Sequence, residues 1–202
     1  MLLLLGSAFL FWLIISFSGR LVCNCINARP GLLVEFMTGF VVATTIFNCI
    51  SFFSPVNYWL VISALLIIGA VNRSASAIIN EWKFKFQSLT PSNYLLVIPF
   101  VVVLILNAFL PSQHGDSQGY YFLTALWIET YKIISGLANI HGRFGFNSSF
   151  FTSTAAFSFT EISGQAIYSV NVVFIGMFYG WLLNRVFTIK NYWCQSIYLI
   201  FA

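Results

Sequence analysis

Residues 32–53 read LLVEFMTGFVVATTIFNCISFF, and the only charged side chain in that run is Glu35. A helix that crosses a bilayer needs roughly 20 mostly apolar residues, so this run is long enough for one full crossing. Glu35 stands about one helical turn inside its start. Two roles are open for it. It can be an intramembrane proton or ion group, or it can reach the interface and pair with Arg29.

The rest of the chain repeats the pattern. Of its 202 residues, 59% are hydrophobic, 7% are charged and 23 are Phe, and the mean hydropathy is +0.89. A soluble domain of this size cannot hide that much apolar surface. Further spans are expected at 2–18, 58–71, 95–110 and 168–187, and another begins near 193. The expected fold is an all-α, polytopic transmembrane helix bundle with about five or six spans, forming one membrane domain over 1–202. No Lys or Arg precedes the first apolar run, so it lacks the basic region of a secretory signal and reads as an uncleaved span. The chain stops inside an apolar run, which suggests a fragment of a longer membrane protein. No internal repeat or low-complexity stretch interrupts it.

The basic residues order these spans. Arg20 and Arg29 follow the first span. Arg73, Lys83 and Lys85 follow the third, and Arg185 and Lys190 follow the fifth. The turn 54–57 has none, and 111–167 has only Lys132 and Arg143. Under the positive-inside rule this places the N-terminus and segment 111–167 outside, which is the periplasmic side in a bacterium. The net charge of +4 therefore marks a membrane side and does not point to nucleic acid. In 73–92, the alternation of Trp82, Phe84 and Phe86 with charged residues suits an interfacial anchor. Cys23-x-Cys25 is not a zinc or redox spacing, so no metal site is expected there. The run Phe150–Thr160 is too short for a span and is expected to be a surface or re-entrant helix, capped around Asn147, Ser148 and Ser149.

Segment 111–167 carries most of the chemistry. Both histidines, His114 and His141, lie in it. Asp116 or Ser117 can cap a helix expected from about Gln118 to Ile134. On that helix Tyr120, Leu123, Trp127, Tyr131 and Ile134 share one face, while Gln118, Ala125, Glu129 and Lys132 form a thin polar stripe. Such a helix lies in the membrane interface or is buried against the spans. Gly136 can stop it, and Gly142 and Gly145 bracket Arg143. His141 and Arg143 together can hold a phosphate. Asp116 can be a general base, a metal ligand or only a helix cap. A Glu129–Lys132 pair can be only a helix-surface contact, and an external histidine only solvated. Clustering of titratable groups in so charge-poor a chain favours function.

The same stretch resembles a family of large bacterial polytopic membrane proteins with a domain of unknown function. The matching residues are Asp116, Gly119 and Tyr120, then Trp127, Ile128 and Tyr131. They continue through Gly136, Leu137, Asn139, His141, Gly142, Arg143, Phe146, Asn147, Ser148 and Ser149, and Glu35 also fits the pattern. That family in turn looks like GT-C glycosyltransferases, which use polyprenyl-phosphate sugars. The resemblance implies an integral protein of the bacterial inner membrane acting in cell-envelope glycan assembly. Asp116 would be its catalytic carboxylate, acting as a base or linked to a divalent metal. His141 and Arg143 would bind the lipid phosphate, and Glu129, Lys132, His114 and Asn147 would complete the substrate-binding set. In GT-C enzymes the acidic loop usually follows the first span, whereas here it follows the fourth, and Ser117 stands where many members carry a second acid. A lipid-linked polysaccharide polymerase or ligase would instead weight His141 and Arg143 above Asp116. A transporter or a structural subunit would need polar residues along several spans, for which Glu35, Asn48, Asn171 and Asn184 are the candidates.

Overall fold

The computed structural model describes residues 2–28, 31–71, 102, 120–140, 142, 148–164 and 169–188. No strand occurs among them. The helices are α1 (Leu2–Cys25), α2 (Leu32–Ser51), α3 (Tyr58–Val71), α4 (Phe122–Thr130), α5 (Leu137–Ile140), α6 (Ser149–Ala156), α7 (Thr160–Ser163) and α8 (Ser169–Thr188). Two helices are long and apolar enough to cross a membrane, Leu3–Cys25 and Leu33–Ser51. Shorter apolar stretches lie at Tyr58–Ile67 and Ser169–Leu182. The expected spans at 95–110 and from 193 fall outside the described residues, apart from Val102, and so does the aromatic segment 73–92.

The first helix runs well past the expected end at residue 18. The charge of Arg20 suggested a boundary, but this charge is neutralised within the helix pair. Arg20 donates from Nε to Glu35 Oε1 at 2.5 Å and from its terminal nitrogen to Oε2 at 3.3 Å. Glu35 thus pairs with Arg20, where the sequence had suggested Arg29. Both side chains are mostly buried, at 20% and 13% exposure. Beside the pair, the backbones of α1 and α2 come into close approach. A Cβ on Gly19 would collide with the Glu35 carbonyl oxygen, and one on Gly39 with that of Ile15. Small residues that let backbones approach are the usual seam between helices in lipid, where apolar burial gives little drive.

Above this crossing lies an aromatic core. Phe11 is fully buried and meets Phe157 edge-on at 4.9 Å, Phe174 at 6.1 Å, Phe40 at 6.2 Å and Phe36 at 6.5 Å. Edge-on geometry sets the positive rim of one ring against the negative face of another. These rings join α1 and α2 to α8 and to the residue just after α6. Helix α6 is capped by Ser148, whose side chain accepts from the Phe150 N–H, as the sequence suggests. It is not a surface helix, because every residue from Thr152 to Phe159 is buried. Its run of Thr, Ser and Ala is small enough to lie among larger helices.

Candidate functional site

The helix expected over Gln118–Ile134 ends four residues early: α4 is Phe122–Thr130, and Gln118 lies outside the described residues. Tyr131 leaves it in an extended conformation, with φ −129° and ψ 152°. The cause is a competing set of backbone bonds. The Val56 N–H donates to the Ile128 carbonyl at 2.9 Å, and the Ile133 N–H donates to the Ser51 carbonyl at 2.8 Å. Together these tie the end of α4 to the turn between α2 and α3. Gly136 does not end this helix. It supplies a left-handed turn, φ 90°, ahead of α5.

The faces of α4 are the reverse of those in a soluble helix. Ala125 and Glu129 are its buried residues. Leu123, Tyr131 and Ile134, expected on the apolar contact face, are 36%, 55% and 44% exposed. Ala125 and Glu129 are one turn apart on the same side, so the thin polar stripe faces the protein. Lys132, placed in that stripe by the sequence, lies beyond the helix and is exposed.

Glu129 is 2% exposed, and among the described residues its carboxylate has two protein donors. Ser158 Oγ donates to Oε2 at 2.7 Å, and the Thr160 N–H donates to Oε1 at 3.0 Å. These donors flank Phe159, whose φ of 50° is left-handed, a conformation that L-residues other than glycine seldom take. The chain leaves α6 here and starts α7, so the Thr160 N–H has no intrahelical acceptor. Glu129 supplies that acceptor from another helix. Buried polar groups need such partners.

The layer continues along α6. Thr152 Oγ1 donates to Asn48 Oδ1 at 2.6 Å, so Asn48 serves as an acceptor between helices. Ser7 Oγ donates to the Phe157 carbonyl at 2.6 Å and shares a hydrogen bond with Ser169 Oγ at 2.7 Å. Among the described residues, Ser153 Oγ is buried without a hydrogen-bond partner. At the other end of α4, the rings of Tyr121 and Phe151 lie 5.3 Å apart. Helices α4 and α6 therefore run side by side in the same direction, with Tyr121 beside Phe151 at their starts and Glu129 beside Ser158 at their ends.

Of the residues singled out in the sequence, Glu129 is held by Ser158, in the turn after α6, and by the first residue of α7, and Lys132 is not brought to that carboxylate. Asp116, His114, His141, Arg143 and Asn147 lie outside the described residues. Ser158, Thr160 and Arg20 were not foreseen. One signal pointed to Arg20. It precedes the turn near Ala28 by as many residues, within one, as Glu35 follows it, which is the spacing of partners in an antiparallel helix pair. No signal of that kind marks Ser158 or Thr160. Among the described residues, no group of three or more His, Cys, Asp or Glu could hold a metal ion. No curated protein and no solved structure matches the chain. A family model described as a domain of unknown function, DUF8201, matches residues 1–202, and the chain belongs to that family.

Proposed function

We propose that the chain is a multi-pass membrane protein whose segment 111–167 forms an external site for transferring a sugar from a lipid-linked phosphate, in the assembly of cell-envelope glycan. The observation that carries this reading is the side-by-side start of α4 and α6, marked by the 5.3 Å approach of Tyr121 and Phe151. Asp116 precedes Tyr120 by four residues and Arg143 precedes Ser148 by five. Two segments far apart in sequence thus lead into the same end of one helix pair, which supports the reading. The outward apolar faces of α4, α2 and α3 suit lipid, and the distribution of basic residues supports an external position.

In this site the Asp116 carboxylate takes the proton of the acceptor hydroxyl as the oxygen attacks the anomeric carbon. Arg143 and His141 donate hydrogen bonds to the departing phosphate and stabilise its charge. The test is deletion of the gene in its host, followed by restoration with wild type or with Asp116→Asn. The mass profile of lipid-linked and surface glycans is then compared. The expected result is a glycan species lost on deletion, restored by wild type, and not restored by Asp116→Asn at equal membrane level. A profile that never changes on deletion, or normal product from Asp116→Asn, overturns the proposal.

A further inference from the structure

We infer that Glu129 is a positioning residue. It sets the register of α4 against α6, and it acts through hydrogen bonds in which its charge is not required. This deepens the proposed function and rests on it only for the consequence to activity.

Glu129 bridges the break between two helices. Its two oxygens are taken by Ser158 Oγ and the Thr160 N–H, one residue on either side of the left-handed Phe159. The Tyr121–Phe151 ring pair also lies between α4 and α6, and ring contacts tolerate sliding that hydrogen bonds do not. The end of α4 is tied independently to the α2–α3 turn, through Val56 and Ile133. Loss of the Glu129 bonds therefore leaves α4 attached to the bundle while freeing its alignment with α6. A shift there moves the start of α4 against the start of α6.

The network also separates hydrogen bonding from charge. Ser158 Oγ lies 2.9 Å from the Ala155 carbonyl as well. If it donates there, it can accept from an amide NH₂. A glutamine at position 129 can then accept from the Thr160 N–H with its oxygen and donate to Ser158 with its nitrogen. Glu129→Gln keeps the bridge, whereas Glu129→Leu removes it at similar size.

The experiment uses the full chain in native membranes with Tyr121→Cys and Phe151→Cys, and single-cysteine variants as background for the native thiols. A short bis-maleimide reports the approach of the two helix starts. With Glu129→Gln the cross-linking rate should stay within about twofold of the parent. With Glu129→Leu it should fall about tenfold or more, the equilibrium shift expected from losing both hydrogen bonds. Ser158→Ala, which removes one donor and fills no space, should give an intermediate fall and serves where Glu129→Leu does not accumulate. A role in stability alone would lower the amount of protein and leave the rate unchanged in what remains. Parent-like cross-linking in Glu129→Leu, or in Ser158→Ala where it stands in, overturns the inference. So does an equal fall in Glu129→Gln. Cross-linking is read without reference to activity, so it can succeed while the Asp116→Asn test fails, and the reverse.

Discussion

Phe9 and Phe11 stand two residues apart on α1, yet Phe9 is 56% exposed and Phe11 is fully buried. Composition does not separate them, because lipid is as apolar as the interior of a helix bundle. At this scale the informative residues are the polar ones, since each must be satisfied where it is buried. Arg20 and Glu35 are the clearest case. Their paired bonds at 2.5 and 3.3 Å stabilise the α1–α2 pair through hydrogen bonds between charged partners. A double-mutant cycle of Arg20→Ala and Glu35→Ala should give a coupling energy of roughly 1–3 kcal/mol, read from unfolding in detergent micelles. The double variant should be more stable than the sum of the single losses predicts. Strict additivity would show that the pair contributes nothing beyond its separate side chains.

Among the elements, α2, α3 and α8 were legible to within two residues, because each is a largely apolar run of helical length. The ends of α1 and α4 were not. α1 continues past Arg20 because a partner on another helix accepts that charge. α4 stops at Thr130 because the α2–α3 turn takes over its hydrogen bonding. Both causes lie far away in sequence, where local pattern carries no information. The α1–α2 crossing offers a test. Gly39 leaves no room for a Cβ against the Ile15 carbonyl, and backbone cannot move aside as a flexible side chain can. Gly39→Val should cost roughly 1–3 kcal/mol of stability from overpacking, measured by thermal unfolding in micelles. Gly6, whose Cβ position is open, is the control, and Gly6→Ala should be nearly neutral. A neutral Gly39→Val would mean that the two backbones are not in contact.

For the molecule as a whole, the sequence showed a helical bundle and a charged segment that stands apart from it. The segment was legible because acids and histidines are scarce: three of the five carboxylates and both histidines of the chain lie in it. The binding partners within it were not legible. Ser158 and Thr160 are ordinary hydroxyl residues in an apolar run, and only the fold brings them to Glu129. The inward polar stripe of α4 was read from spacing, but spacing alone did not tell which side faces the protein. That was decided by the fold, which buries Ala125 and Glu129 and leaves Leu123 exposed.

The central claim is that the charged residues of 111–167 gather on the outer face of a multi-pass membrane protein. Its most direct test is the sidedness of single cysteines, introduced at Ser112 and at Lys85 in a chain without its native thiols. A membrane-impermeant maleimide should label Ser112→Cys in intact cells. Lys85→Cys should react only after the membrane is opened. Labelling of Lys85→Cys in intact cells with Ser112→Cys protected would contradict the account, because Asp116 and Arg143 would then face the cytoplasm.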